Sequence, residues 1–213
     1  MSETLNRFNW LARHYDFLTR LVFGKAMLDS QVHFLKSIPQ GSHLLVVGGG
    51  SGAILPYLWR RDPTCRIWYV EASSDMLSIA SERISGETGG QLKFIHGTEE
   101  SVPGGIVFDV IITHFVLDLF PNEKGLALCR NLYGKLQSGG LWLISDFVDG
   151  GKWWQRVMLW MMYRFFVLTC RIEATSLPPW EYQLRTAGMR EMVFKLFFSG
   201  FIKSVVYRKE VGL

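Results

Sequence analysis

Cysteine is scarce in this chain. Only Cys65, Cys129 and Cys170 occur in 213 residues, an odd and widely spaced set that speaks against a disulfide framework and a cysteine-rich zinc site. Proline is equally thin, at seven residues, and there is no low-complexity run, repeat or linker to mark a domain boundary. Neither sign of charge dominates: 23 Lys and Arg stand against 19 Asp and Glu. The basic residues are dispersed, with short clusters only at Arg60-Arg61 and Arg208-Lys209, so the dense stripe that nucleic acid requires is missing. Residues 1–17 contain no uninterrupted apolar stretch, so a secretory signal is not expected and a cytoplasmic location is. The most apolar segment, 153–168, is too short and too charged for a comfortable membrane span.

What is present is the composition of a folded globular protein, 48% apolar and 20% charged, at a length that suits one full domain. In the first forty residues Leu5, Phe8, Leu11, Ala12, Tyr15, Leu18 and Leu21 recur at spacings of three and four, which predicts helices over 3–20 and 25–37. Pro39-Gln40-Gly41 breaks that pattern. Short apolar runs then appear at 43–47, 66–70, 92–96, 108–113 and 141–146, with helical stretches between them at 53–61, 74–85 and 122–137. Runs this short and apolar on both faces read as buried parallel strands, and their alternation with helices implies right-handed crossovers in an α/β sheet. The segments 191–198 and 201–210 are β-rich and separated only by Ser199-Gly200, which predicts a closing hairpin and an antiparallel last strand.

The first strand runs into Gly48-Gly49-Gly50-Ser51-Gly52 and on toward a helix. Such a turn needs unusual backbone angles and lets a ligand approach the main chain with no Cβ in the way. About 20 residues on, the second strand ends in Glu71, the offset at which an acid accepts hydrogen bonds from both hydroxyls of a ribose. Gly48, Gly50 and Ala53 also satisfy the dinucleotide fingerprint in relaxed form, which makes NAD the competing nucleotide. No Tyr-x-x-x-Lys pair for short-chain reductase chemistry accompanies it, and no Lys follows the loop to hold β- and γ-phosphates.

The segments Val47–Gly52 and Val70-Glu71-Ala72-Ser73-Ser74-Asp75-Met76-Leu77 resemble the first two cofactor motifs of class I S-adenosylmethionine-dependent methyltransferases. The Ser-x-x-Met-Leu pattern, together with Ala12-Arg13-His14-Tyr15-Asp16, is similar to the group containing ubiquinone and menaquinone C-methyltransferases. Residues 108–112, 136–141 and 184–189 are similar to that family's fourth strand, the Gly-Gly turn before the fifth, and the last helix end. The resemblance implies a Rossmann-like methyltransferase fold with a mostly parallel seven-stranded sheet and S-adenosyl-L-methionine as cofactor. It sets Gly48, Gly49, Gly50, Ser51 and Gly52 under the methionine part, Glu71 on the ribose, and Ala72 and Met76 against adenine. Thr98 stands where the family often has an acid for the adenine amino group, and either Thr98 or Glu99 takes that role. Val46 replaces another frequent acid, which suggests backbone carbonyls near Thr113 as substitute anchors.

Ligands of open α/β sheets sit beyond the carboxyl ends of the strands. His114, just past the fourth strand, is therefore a candidate base near neutral pH, or a residue that shapes the pocket or touches the cofactor. His14 and Tyr15 are weaker catalytic candidates. Asp118, Asp146 and Asp149 lie at or after strand ends, but helix capping and solvated turns account for them, and no metal is expected. The insertion 150–179 reads as a helix packed on the N-terminal pair, as a lid over a lipophilic pocket, or as an amphipathic helix in peripheral contact with a membrane. The expected organisation is a single domain: N-terminal helices over 1–40, a cofactor core over 41–149, the insertion, and a last helix with hairpin over 180–213. The expected activity is methyl transfer to oxygen or carbon of a small hydrophobic or aromatic acceptor, since no Asn-Pro-Pro-Tyr-type motif for nitrogen follows the fourth strand. A non-catalytic binding module with the same fold and an NAD-dependent oxidoreductase are the alternatives.

Overall fold

A computed structural model describes residues 19–84, 91–170 and 172–210, without the side chains of 169 and 170. His14, Tyr15 and nearly all of the helix expected over 3–20 lie outside the described residues. Seven strands form one sheet: β1 His43–Val47, β2 Arg66–Glu71, β3 Leu92–His96, β4 Phe108–His114, β5 Leu136–Phe147, β6 Met189–Phe197 and β7 Ile202–Lys209. Their order is β3-β2-β1-β4-β5-β7-β6, and only β7 runs against its neighbours. The expected mostly parallel sheet with an antiparallel last strand is what the chain forms.

Strand periodicity explains the two main cores. On one face, Leu45, Val47 and Ile111 pack with Leu128, Leu132, Trp180 and Leu184, from helices α4 (Asn122–Lys135) and α6 (Trp180–Thr186). On the other, Leu44, Val46, Val110 and Ile112 meet Leu55, Leu58 and Ala80, from α2 (Leu55–Arg61) and α3 (Ser74–Arg83). Successive residues of β1 thus feed opposite cores, and each fully buried Leu or Ile contributes on the order of 1.5–3 kcal/mol. Cys65 and Cys129 are buried free thiols, and burial pushes them up to about 11 and about 12, which makes them packing residues rather than nucleophiles.

The structure corrects three boundaries. The helix expected over 25–37 is two pieces, α1 (Ala26–Val32) and a 3-10 turn at Leu35–Ser37. Arg61 holds this junction by donating to the carbonyls of Leu35, Lys36 and Ile38 at 2.8–3.0 Å, so the exposed basic pair of the sequence contains a structural clamp. The helix expected to reach 137 stops at Lys135, and β5 begins at Leu136, opposite Phe108. Gly139, at φ +75°, carries the strand through what reads in sequence as a turn. The closing hairpin turns over Phe198–Gly200 rather than Ser199-Gly200 alone, with Phe198 and Ser199 both at positive φ.

A third cluster lies at the carboxyl edge. Phe147 of β5, Phe201 beside β7, and Phe23 and Met27 of the N-terminal segment pack against Leu159 and Tyr163 of the long helix α5, Trp153–Cys170. The insertion therefore touches both the N-terminal segment and the sheet edge.

Candidate functional site

The turn after β1 is built around its glycines, each for a different reason. Gly48, Gly50 and Gly52 have φ of +64°, +62° and +75°, a region other residues enter at a cost of about 1–2 kcal/mol. A Cβ at Gly52 would meet Ala80 at 2.8 Å, and one at Gly49 would collide with the Tyr69 ring. Gly50 alone faces open space, with nothing within 4 Å of a built Cβ. Gly48, Gly49 and Gly52 are thus demanded by the protein's own packing, and Gly50, held at positive φ, is the one that opens toward a ligand. Tyr69, whose hydroxyl donates to the Gly50 carbonyl at 2.9 Å, pins the loop from beneath.

Glu71 faces this loop from the end of β2. Its Oε2 accepts from the Gly50 amide at 2.8 Å and its Oε1 from the Ser73 amide at 2.9 Å. Burial pushes its pKa upward, and the amides of Ser73, Gly50 and Ala72 counter that shift. A carboxylate has about four lone-pair positions, so beside these amides Glu71 keeps capacity for a further donor such as a ribose hydroxyl.

The edge beyond β4 and β5 is built differently. His114 is partly exposed as a residue, yet both ring nitrogens are shielded and have no hydrogen-bond partner. Burial lowers its pKa to about 3, so the ring is neutral at neutral pH. Phe115 follows at φ +56°, strained for an aromatic residue, and packs on Phe147 with ring centroids 5.0 Å apart. Asp118 and Asp146 come together in the interior, near enough for the charge of Asp118 to shift its partner. This corrects the expectation of solvated turns.

Asp146 accepts from the amides of Leu117 at 3.1 Å and Phe147 at 2.8 Å, while Asp118 Oδ1 has no partner. Burial raises both pKa values, and the Asp118 charge raises that of Asp146 further. Two buried carboxyls this close disfavour double ionisation, which favours a proton on one of them. Tyr163 of α5 closes over the pair, its hydroxyl donating to the Asp118 carbonyl at 3.0 Å. Asp149, by contrast, is a turn residue, accepting from the Gly151 amide at 2.8 Å and pairing with Arg156.

The remaining candidates divide. Ser51 and Met76 are buried beside the loop, Met76 with its amide on the Ser73 N-cap, and the Ala72 carbonyl is engaged by His96 at 3.0 Å. The Thr113 hydroxyl accepts from Trp142 Nε1 at 2.9 Å in the core. Thr98 caps a 3-10 turn, its amide donating to Ser101 Oγ at 3.3 Å. Glu99 is half-buried, with its pKa raised chiefly by burial. Among the described residues no three metal-ligating side chains come together. Sequence reasoning missed Tyr69, Phe115 and the acid pair; no local spacing signals any of them.

The open face at Gly50, the receptive carboxylate of Glu71 and the orphaned nitrogens of His114 fit a nucleoside cofactor with a polar tail. Together with the sheet order, they define a Rossmann-like methyltransferase fold. Residues 45–142, just under half of the chain, match the family model described as a methyltransferase domain. No curated protein matches the chain by sequence.

Among solved structures, one complex holds the Trm112 methyltransferase activator and a methyltransferase from Haloferax volcanii. It matches with a TM-score of 0.73 at 12% identity over 99% of both chains. Human N-acetylserotonin methyltransferase, solved with S-adenosylmethionine, gives 0.62 at 20% identity over 86% of this chain and 52% of its own. An O-methyltransferase family 2 protein from Planctomyces limnophilus, solved with apigenin, gives 0.62 at 19% over 83% and 55%. This chain thus spans about half the length of the last two, and at these identities the likeness is one of fold.

Proposed function

We propose that this chain is an S-adenosylmethionine-dependent methyltransferase that modifies a small hydrophobic or aromatic acceptor at oxygen or carbon. One observation carries the reading: the partly buried side chains around the β4–β5 edge, Phe115, Leu119, Met158, Met162 and Phe166, are apolar. Polar groups there are few: His114 and the Asp118–Asp146 pair. Side chains of that make-up suit a lipophilic body oriented by one or two polar contacts. The flavonoid in the Planctomyces limnophilus protein is an acceptor-like molecule of this kind, and the resemblance to quinone C-methyltransferases, carried by the Ser-x-x-Met-Leu pattern, points the same way.

In this reading Gly48–Gly52 cradle the methionine part of the cofactor, Glu71 holds the ribose, and Ala72 and Met76 flank adenine. Thr98 or Glu99 meets the adenine amino group, and backbone near Thr113 and His114 completes the cofactor wall. When bound, S-adenosylmethionine supplies an electrophilic methyl group on a sulfonium sulfur. The protein's own contribution is alignment and exclusion of water. Residues 150–179 act as the lid, with Tyr163 joining it to the Asp118 carbonyl. His114, neutral and with a free ring nitrogen, takes a hydrogen bond or a proton from the acceptor; its low pKa suits the first role better. His14 and Tyr15 remain candidates for the acceptor side. Contact of 153–168 with a membrane belongs to the same reading, because lipophilic acceptors concentrate there.

The test is incubation with methyl-labelled S-adenosylmethionine and a panel of phenols, quinols and indoles, with amines as controls. Label transfer to the phenols or quinols is expected. Transfer only to amines overturns the acceptor class, and none with bound cofactor favours the non-catalytic alternative.

A further inference from the structure

Helix α5 has two unlike faces. Gln155, Leu159 and Tyr163 are buried against the domain. Opposite them runs a ridge of Trp153, Val157, Trp160, Met161, Phe165 and Leu168, with exposures of 77% for Trp153, 63% for Trp160 and 74% for Leu168. At 1.5 Å per residue, the 18 residues of the helix extend the ridge over about 27 Å. Isolated exposed apolar residues need no explanation, but a continuous aromatic ridge of this length does. The same helix carries Arg156 and Arg164, both exposed, and no Asp or Glu. Arg164 lies over the Trp160 ring at 5.9 Å, and Lys152 stands exposed just before the first turn. Asp149 is the acid paired with Arg156, through an exposed contact of 3.3 Å that water and salt weaken.

We propose that this ridge docks on the surface of an anionic lipid bilayer, the helix lying in the interface with its tryptophans at headgroup depth. Among the described residues no helix is long and apolar enough to cross a membrane, so the helix lies on the bilayer and does not span it. Charge decides the occupant. A second copy of the ridge would bring two more arginines and no acid, whereas a layer of anionic headgroups neutralises Arg156, Arg164 and Lys152 while the acyl boundary takes Trp, Phe and Leu. A bilayer also accepts a long convex ridge without a complementary groove. This inference deepens the acceptor reading above, since a lid helix seated on lipid would meet a lipophilic acceptor where it dissolves.

The experiment is co-sedimentation of the full chain with phosphatidylcholine vesicles, with and without phosphatidylglycerol, at low and raised salt. It is paired with S-adenosylhomocysteine binding as a separate readout. The expected result is binding to the anionic vesicles, weakened by salt, with a blue shift of tryptophan emission. The double substitution Trp153→Ser, Trp160→Ser should lower partitioning roughly tenfold or more. Arg156→Gln with Arg164→Gln should remove the preference for phosphatidylglycerol. All these side chains are exposed, so retained homocysteine-product binding in the variants verifies their folding. Absence of vesicle binding, or binding indifferent to both variants, overturns the proposal. So does a dimer in sedimentation velocity that the tryptophan variant dissolves without any vesicle binding. Vesicle binding without cofactor binding would sink the methyltransferase reading and leave this inference standing.

Discussion

The carboxyl edge of the sheet has two halves that solve the same problem by different means. Beyond β1 and β2, a glycine turn and Glu71 make a polar cradle from backbone amides, with partners brought together by the adjacent strands and fixed by loop geometry. Beyond β4 and β5, His114, Phe115 and the Asp118–Asp146 pair sit in an apolar cluster whose few polar groups are sealed and coupled across strands. The first half is suited to holding a constant ligand in one pose. The second stores unsatisfied polar capacity under a helix, at a cost in stability that a functional site tolerates.

The largest effects should separate packing from binding within the first half. Gly49→Ala drives a Cβ into the Tyr69 ring and should lose roughly 3 kcal/mol of stability, read as a lowered Tm. Gly50→Ala meets no atom, so it should lose only about 1–2 kcal/mol through its positive φ while S-adenosylhomocysteine affinity falls out of proportion. Equal losses of stability in the two variants would erase the distinction between the glycines.

The second half should announce itself through pH. Both carboxyls of the Asp118–Asp146 pair are raised, so the fold binds protons that the unfolded chain releases. The pair's contribution to stability is fully present below the ordinary carboxyl range near pH 4 and is lost as pH rises through its elevated range. Thermal melts of Asp118→Asn should fall less steeply between pH 4 and 8, with a Tm above the parent's by a few degrees at the alkaline end. A parallel pair of curves would show that the two acids do not share a proton.

Smaller again is Tyr163→Phe, which removes a buried hydroxyl from the Asp118 carbonyl and should lose about 1 kcal/mol, measurable by urea midpoint. The smallest expected effect is an absence. Burial holds the His114 pKa at about 3, so methyl transfer should show no inflection from this group near pH 6.5. A limb there that disappears in His114→Asn would make it a titrating base and give the two halves more similar chemistry.

The same contrast governs what could be read from sequence. Strands β1 to β4, the crossover helices and the antiparallel closure were legible because short runs apolar on both faces alternate with helical stretches, and Gly48–Gly52 and Glu71 sit at the ends of two such runs. The β5 start at Leu136 was hidden because Gly139 and Gly140 look like a turn, and only pairing with Phe108 makes them strand. The 3-10 turn after Val32 was hidden because the donors to its carbonyls come from Arg61, distant in sequence. Asp118 and Asp146 looked like ordinary strand-end acids, since nothing local records that β4 and β5 bring them together beneath Tyr163. The cluster is tertiary in origin, and its members carry no spacing.

The central claim, that the β1–β2 half is an S-adenosylmethionine site built on Glu71, is tested most directly by calorimetric titration with S-adenosylhomocysteine, with NAD as control, on the parent and on Glu71→Ala. The account predicts micromolar binding of the homocysteine product and none of NAD. It also predicts a loss of about a hundredfold in the variant, from two charge-assisted hydrogen bonds of roughly 1.5 kcal/mol each. Binding of neither ligand by the parent, or undiminished product binding by the variant, would contradict it.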